Sequence, residues 1–177
     1  MATGIWDVKR DGERLRWMLE PFVYVGPLRF GMHPAEVAAV LGQGTADYSK
    51  SIPWGDTVTV QEGFTKVGLT AYYADEARLA GITVDARLGP QVLADGTALV
   101  GRKPSEVEQW LIERAEAREP YSELFYMPGA DPGSQTLGLV MCVQRAGDVV
   151  LTRPVFVASE WIDDVYHRLP ASEWSTF

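Results

Sequence analysis

A short segment of this sequence occurs twice, 70 residues apart. Residues 25–41 read VGPLRFGMHPAEVAAVL, and residues 95–111 read DGTALVGRKPSEVEQWL. Without a gap, the identical positions are Gly26/Gly96, Gly31/Gly101, Pro34/Pro104, Glu36/Glu106, Val37/Val107 and Leu41/Leu111. Because a fixed internal period indicates repeated structural units, the sequence predicts two units in a single domain, residues 1–177. Unit one spans about residues 25–89, and unit two spans about residues 95–159.

Each copy carries the signals that start a helix. Pro34 and Pro104 suit the first helical position, where the missing N–H has no intrahelical partner in any case. The residues before them are His33 and Lys103, which are not preferred N-caps, so we expect weakly capped helices. Valine, leucine and tryptophan then recur at helical spacing, which predicts one apolar face on each helix.

After each helix, the sequence is typical of antiparallel strands. In unit one, three strands are predicted at residues 57–62, 65–74 and 80–88, with apolar and polar positions alternating. In unit two, residues 135–144 and 148–158 form a predicted hairpin that is apolar on both faces. That hairpin is therefore expected to be central in the sheet or covered by another element.

Two flanking segments complete the expected fold. Residues 1–24 are interpreted as a short helix or strand lying across the sheet, and residues 159–169 as a terminal helix capped by Ser159. The inner face of that helix would be Trp161, Val165 and Leu169. The predicted class is α+β, with two tandem helix-plus-antiparallel-meander units forming one curved sheet and the helices on one face.

The composition is that of an ordinary globular protein, with 46% hydrophobic and 23% charged residues. Lys and Arg number 16 against 24 Asp and Glu, a net charge of −8, of which −6 falls in residues 89–177. Such acidity disfavours binding to nucleic acids or anionic membranes, so we expect neither as a partner. The N-terminus lacks an apolar leader, and the apolar stretch 137–143 is shorter than a membrane span. We therefore expect a cytoplasmic protein.

Residues that carry catalysis or bind metals are few. Cys142 is the one cysteine, which excludes an internal disulfide and a multi-cysteine metal site. His33 and His167 lie far apart in sequence, and neither a nucleophile elbow nor a phosphate-binding loop is present. We expect no cofactor, no metal and no catalytic set. Paired carboxylates of the glycosidase kind stay an open alternative, because their spacing is set in three dimensions.

Aromatic residues are the best indication of a binding surface in unit one. The expected loop 48–56 reads YSKSIPWGD, with Trp54 between proline and glycine. Tyr72 falls on the polar face of the predicted sheet, beside Thr70 and Thr83. Exposed Trp and Tyr are typical interface anchors. The candidate partner-binding residues of unit one are Tyr48, Trp54, Asp56 and Tyr72. Trp54 could equally fold back and close the end of the sheet.

Unit two has an equivalent loop at residues 120–134. It carries Phe125, Tyr126 and Met127 between turn residues, which predicts a second exposed patch with Phe125 and Tyr126 as contacts. Other aromatic side chains are placed for the core. They are Tyr73, Trp110, Phe156 and Trp161.

Six glutamates lie on or just after the second helix. They are Glu106, Glu108, Glu113, Glu116, Glu119 and Glu123. One interpretation is a solvated helix face. The other is an acidic surface, including Glu108, Glu113 and Glu116, that docks a basic partner such as the catalytic cleft of a nuclease.

Residues 25–42, VGPLRFGMHPAEVAAVLG, resemble the G-x-x-x-x-G-M-x-x-x-E-V-x-x-x-L-G segment of actinobacterial proteins of unknown function, some encoded near toxin genes. The segment is also similar to the repeated unit of the β-lactamase-inhibitor-protein fold and of a small outer-membrane lipoprotein in barrel assembly. The resemblance implies helices packed on strand meanders and tandem copies in one concave sheet. It also implies a binding module whose usual partner is a protein. No binding residue is carried over, since this chain lacks the inhibitors' paired cysteines.

The leading hypothesis is a non-enzymatic protein-binding module, in its most specific form a cytoplasmic immunity or inhibitor protein against a basic toxin enzyme. The alternative is a small-molecule-binding domain or an unrecognised enzyme, with a pocket between sheet and loops lined by Trp54, Tyr72 and Tyr126. A third hypothesis is a dimerisation module that pairs through residues 135–158. The oligomeric state stays open.

Overall fold

The computed structural model describes residues 4–118 and 123–176. Within these ranges, three α-helices and thirteen strands form a fold with two sheets. The predicted α+β class is confirmed. The single curved sheet is not, because a second and smaller sheet is present.

The larger sheet has eight strands and contains the meanders of both predicted units. Its strands are β4 (Tyr48–Trp54), β5 (Thr57–Phe64), β6 (Leu69–Ala74), β7 (Arg78–Val84), β10 (Leu124–Tyr126), β11 (Pro132–Ser134), β12 (Leu139–Ala146) and β13 (Val149–Val157). Their order is β10-β11-β12-β13-β7-β6-β5-β4, and neighbours are antiparallel. The two four-strand runs therefore join where β7 pairs with β13.

The strand predictions agree with this sheet except at one edge. The predicted strands 57–62, 65–74 and 80–88 correspond to β5, β6 and β7, and the predicted hairpin corresponds to β12 and β13. The predicted loop 48–56, however, is strand β4 followed by a tight turn. Residues 48–54 do not alternate between apolar and polar types, because an edge strand that is exposed along most of its length needs no such pattern.

The smaller sheet has five short strands and accounts for the N-terminal segment. They are β1 (Arg16–Glu20), β2 (Tyr24–Val25), β3 (Leu28–Arg29), β8 (Gln91–Ala94) and β9 (Thr97–Ala98). The order is β3-β2-β1-β8-β9, with β1 parallel to β8. In β1, Trp17 and Leu19 are buried while the alternate residues are exposed. The strand therefore presents one apolar face to the core and links two hairpins into a second sheet.

The helices are α1 (Pro34–Val40), α2 (Pro104–Arg118) and α3 (Val165–Arg168). Proline stands at the start of α1, and His33 makes no side-chain capping bond, as the sequence predicts. None of the helices among the described residues is long and apolar enough to cross a membrane.

The predicted helix 159–169 is broken into shorter pieces. A 3₁₀ turn at Ser159–Trp161 precedes α3, and a second follows at Ala171–Trp174. Ser159 does not cap the first turn, because the N-cap position is Ala158; the Ser159 hydroxyl instead donates a hydrogen bond of 3.4 Å to Glu160. The interruption falls at Asp163 and Asp164, residues with low helix propensity. The predicted inner face is nevertheless confirmed, since Trp161, Val165 and Leu169 are all buried.

Two apolar clusters fill the protein, one on each face of the larger sheet. The first contains side chains of α1, α2, the smaller sheet and alternate residues of the larger sheet, including Leu139 and Met141. The second contains Val140 and Cys142, packed with residues of the C-terminal segment, residues 159–174. The expected one-face arrangement therefore holds for α1 and α2 but is wrong for the C-terminal segment. The sheet face that bears the second cluster is termed the outer face.

Candidate functional site

A row of directly paired residues crosses the outer face from one edge of the larger sheet to the other. From β4 to β10 the row is Tyr48, Gly63, Thr70, Thr83, Val155, Val140, Gly133 and Phe125. It is polar over β6 and β7 and apolar over β13 and β12. The C-terminal segment packs on the apolar half, and a cleft opens over the polar half.

The cleft, termed the polar cleft, has a volume of about 310 Å³, at the lower end of the range for ligand sites. Its lining comes from β4 to β7, from β13 and from the end of the C-terminal segment. The side chains that bring polar groups to it include Tyr48, Gln61, Thr70, Thr83, Asp85, Arg153 and Glu173.

Tyr48 forms one wall of the polar cleft. Its ring lies across Gly63, so closely that a Cβ on Gly63 would come within 2.0 Å of the ring. Glycine on β5 therefore makes room for the aromatic side chain of the edge strand. Gln61 Nε2 donates a hydrogen bond of 3.3 Å to the Tyr48 hydroxyl, which holds the ring in place. The Tyr48 side chain is nevertheless 43% exposed and available for contact.

A buried network of Arg153, Glu173 and Tyr72 closes one end of the polar cleft. Arg153 donates to the Glu173 carboxylate and, at 2.8 Å, to the Glu173 backbone carbonyl. Tyr72 donates its hydroxyl proton to the other carboxylate oxygen. Burial by itself lowers the pKa of Arg153, but Glu173 outweighs burial and raises it, so the guanidinium stays charged. The network fastens the C-terminal segment to the sheet.

The predicted exposure of Tyr72 is wrong, because its side chain is fully buried. The alternation that placed it on the polar face of the sheet is correct, but Glu173 and the C-terminal segment fold over it. Burial, followed by the nearby Glu173 carboxylate, raises the pKa of Tyr72. Tyr72 therefore acts as a neutral donor to Glu173 and is unavailable to a partner.

Two buried polar atoms of the cleft lining lack a hydrogen-bond partner. They are Gln61 Oε1 and Thr83 Oγ1, on side chains that are 7% and 4% exposed. In contrast, Asp85 is well satisfied: it accepts from the backbone N–H groups of Arg87 and Leu88 at 2.9 and 2.8 Å, and from Gln144 Nε2 at 3.0 Å. Buried polar atoms are normally paired, so the two unpaired atoms mark a place where something else could bind.

A second candidate surface lies at the opposite edge of the larger sheet. Tyr126, on β10, is 49% exposed and donates its hydroxyl to Glu108 Oε2 at 3.1 Å. Glu113 accepts a hydrogen bond of 3.0 Å from Gln109 on the same helix. Glu108, Glu113, Glu116 and Tyr126 are termed the acidic patch. The fold thus brings one candidate of α2, Glu108, together with Tyr126 from the next segment.

The orientation of α2 explains which glutamates face solvent. Val107, Leu111 and Ala115 are buried, and at about 100° per residue Glu113 and Glu116 fall on the opposite side, where both are exposed. Glu108 lies on the flank of the helix, is half-buried and is therefore within reach of Tyr126.

Glu123 differs from the other acidic residues of the run, because it is 4% exposed rather than solvated. Its carboxylate accepts hydrogen bonds from Arg114, Ser134 and Thr136. Burial raises its pKa, but the two hydroxyls and Arg114 together outweigh burial and hold the pKa below its ordinary value. Its role is structural: it ties α2 to β11. Glu119 and residues 120–122 lie outside the described residues.

The remaining candidates are divided between the two edges. Trp54 is half-buried and Asp56 is exposed, at the end of the β4–β5 hairpin, about 20 Å along β4 from Tyr48. Phe125 is half-buried over Gly133, and Met127, expected to be exposed, is buried. Because β4 and β10 are opposite edges, Trp54, Tyr72 and Tyr126 do not form the predicted pocket.

Among the described residues, the histidine and cysteine side chains that commonly take part in catalysis do not cluster. His33 is exposed, and His167 Nδ1 lies 2.9 Å from Asp164 Oδ1, the local contact that its spacing allows. Cys142 is buried in the second cluster, and burial raises the pKa of its thiol. Within residues 4–118 and 123–176, no three His, Cys, Asp or Glu side chains lie close enough together to hold a metal ion.

Sequence reasoning identifies the floor of the polar cleft but misses its end. Alternation places Thr70 and Thr83 on a polar face, and both line the cleft. Arg153 lies in an otherwise apolar strand, and Glu173 follows the predicted terminal helix, so neither carries a recognisable signal.

Comparison with known proteins gives no match: no family model, curated protein or solved structure is significantly similar to this chain.

Proposed function

We propose that this protein is a non-enzymatic protein-binding module that contacts a basic partner through the acidic patch. The observation that carries the proposal is the pairing of exposed Tyr126 with Glu108 on the flank of α2, the helix whose outward side carries the exposed Glu113 and Glu116. Tyrosine is a frequent interface anchor, and surrounding carboxylates steer and orient a cationic partner. The excess of −6 in residues 89–177 adds to that steering.

The proposal includes two tandem units, of which the second is specialised for binding. Gly63 and Gly133 are 70 residues apart, and each lies under the ring of an aromatic residue on the adjacent edge strand. α1 has 7 residues and a single acidic side chain, whereas α2 has 15 residues and four glutamates. Together with the resemblance to the inhibitor fold, this contrast favours a cytoplasmic immunity or inhibitor protein directed against a toxin enzyme.

A pull-down from the source organism with matched variants tests this function. Wild type should retain a basic protein that Tyr126→Ser and the triple variant E108Q/E113Q/E116Q lose. Tyr166→Ser is the control, since Tyr166 is similarly exposed at 44% but belongs to the C-terminal segment. The purified partner should then bind wild type with an affinity that falls as salt rises. Equal recovery by all four proteins contradicts the proposal.

A second candidate function, the binding of a small molecule, is favoured by the polar cleft. Its volume of about 310 Å³ and the two buried, unpaired polar atoms fit a compact polar ligand. A thermal-shift screen of small polar compounds, repeated with the rim variant Tyr48→Ala, tests it. A hit that stabilises wild type but not the variant supports this function, and a screen without any such hit contradicts it.

A further inference from the structure

We infer that the polar cleft binds a neutral, polyhydroxylated ligand of the size of a monosaccharide. The inference rests on the small-molecule function proposed for the cleft and is independent of the acidic patch. The cleft lies over the β4–β7 half of the outer face, where Thr70 and Thr83 are paired on adjacent strands. Nothing in the leading proposal, a protein interface on α2, uses these residues.

The unpaired groups of the cleft match hydroxyl groups. Gln61 Oε1 can only accept a hydrogen bond, whereas Thr83 Oγ1 can donate and accept. Both atoms have almost no accessible surface, so binding requires the two side chains to turn toward the cleft. A ligand hydroxyl both donates and accepts, so a ligand with several hydroxyls then serves both atoms. Gln61 lies two residues along β5 from Gly63, which pairs with Thr70. The two groups are therefore on neighbouring rows of one sheet face, on strands separated by β6 and roughly 12 Å apart at the backbone, so a ligand that serves both must be at least ring-sized.

The charges of the cleft disfavour an anionic ligand. Arg153 directs both terminal nitrogens to Glu173, so the buried cation and anion compensate each other. Asp85 accepts three hydrogen bonds from protein groups, and its remaining capacity suits a hydroxyl donor. An anionic ligand would meet the carboxylates of Asp85 and Glu173.

The wall formed by Tyr48 also suits a polyhydroxylated ring. Its ring lies close enough to β5 to require glycine at position 63, and its hydroxyl accepts a hydrogen bond from Gln61. An amphipathic ring at the rim of a polar site offers apolar contact to the C–H groups of a sugar and a polar edge to its hydroxyls. The combination of an aromatic wall with amide and hydroxyl groups is what a polyhydroxylated ring requires.

The test is a titration of the full chain with D-glucose, D-galactose, D-mannose and N-acetyl-D-glucosamine, followed by amide NMR shifts. At least one sugar should cause saturable shifts at residues 61, 63, 70 and 83. Thr83→Val, which keeps the shape but removes the hydroxyl, should weaken binding by about tenfold. Tyr48→Ala is a second variant on the exposed rim and should also weaken it. Thr97→Val, on the smaller sheet, is the matched control and should bind as wild type does.

Two further probes separate failure of the sugar inference from failure of the small-molecule function. Choline chloride and inorganic phosphate are titrated in the same way. If either shifts the cleft residues while no sugar does, the polyhydroxylated class is wrong and the small-molecule function stands. If no probe shifts them, or if Thr83→Val and Tyr48→Ala bind sugar as well as wild type, the inference is overturned.

Discussion

The two halves of the outer face share one sheet but differ in what lies on them. On β12 and β13, Val140 and Val155 belong to the apolar cluster that includes Trp161 and Leu169 of the C-terminal segment, and these two side chains also lie close to Gly81 of β7. Over β6 and β7, the neighbours in the same row are threonines, and the face stays open as a cleft. The Arg153–Glu173 pair, at the end of the segment, is the boundary beside the cleft. An earlier part of the segment reaches further, since Thr59 of β5 donates a hydrogen bond of 2.9 Å to the Arg168 carbonyl.

The difference between the halves follows from the cost of covering each kind of side chain. Burying apolar surface contributes about 25 cal/mol per Å², whereas burying a hydroxyl without a partner costs free energy. The C-terminal segment therefore gains more by covering valines than by covering threonines. Thr70 stays half-buried at the cleft, whereas Thr83 is buried with its hydroxyl unpaired. Where it must cross to the polar side, it brings Glu173 to satisfy Arg153 and Tyr72.

The largest expected effect comes from removing the cover of the apolar half. Trp161 is 2% exposed and packs in the second cluster, so Trp161→Ala should lower the free energy of unfolding by about 3 to 5 kcal/mol. Urea unfolding measures the change. Tyr166→Ala, in the same segment but exposed, should cost much less. A small loss for Trp161→Ala would mean that the segment does not contribute to the core.

The boundary between the halves gives the second prediction. Arg153→Met leaves the buried Glu173 carboxylate without its cation and should cost about 3 kcal/mol or more in urea unfolding. The double variant R153M/E173M removes both charges and should recover a large part of that loss. If the double variant is instead as unstable as the sum of the two single variants, the pair is not coupled across the boundary.

The open half was largely predictable from the sequence, whereas the boundary was not. Period-two alternation in residues 65–74 and 80–88 gives the polar face with Thr70 and Thr83. Alternation is local, however, and the partner that buries Tyr72 is Glu173, 101 residues away in sequence. No local pattern in Ala171–Trp174 indicates which part of the sheet it covers.

The acidic patch shows the same division between local and distant information. Helical spacing predicts α2 and its outward glutamates, but not that Glu108 meets Tyr126, 18 residues further along the chain. Glu123 is the clearest failure. By type it belongs to a solvated acidic run, yet Arg114 and two hydroxyls compensate its charge inside the protein. Sequence alone does not reveal such compensation.

Gly63 and Gly133 both belong to the row of paired residues that crosses the outer face, so substituting each of them compares the two halves directly. A Cβ on Gly133 meets the Phe125 ring, which packs against the second cluster, so Gly133→Ala should cost about 1 to 3 kcal/mol. A Cβ on Gly63 meets the Tyr48 ring, which is 43% exposed and whose hydroxyl accepts a long hydrogen bond of 3.3 Å from Gln61, so the ring can turn aside into solvent at the cost of that bond. Gly63→Ala should therefore cost less than Gly133→Ala in thermal or urea unfolding. Equal costs would show that both rings are held with equal rigidity.

The smallest expected effect is a pH dependence of the free energy of unfolding that comes from Glu123. Its pKa in the folded protein lies below its ordinary value of 4.5, since the hydroxyls and Arg114 outweigh burial. Its ionised form therefore contributes stability in full above pH 4.5, and that contribution is lost as the pH falls through the folded pKa. Urea unfolding of wild type and Glu123→Gln at a series of pH values measures it.

The stability advantage of wild type over Glu123→Gln should be about 1 kcal/mol or more near neutral pH and should shrink as acid is added. Glu116→Gln, at an exposed position of α2, is the control and should show no such convergence. The two curves approach each other only if the buried carboxylate is ionised in the folded protein. A constant gap between wild type and Glu123→Gln would mean that Glu123 is held by its shape and hydroxyl contacts. In that case charge would decide how a segment is fastened to the larger sheet at Arg153–Glu173 but not at Arg114–Glu123.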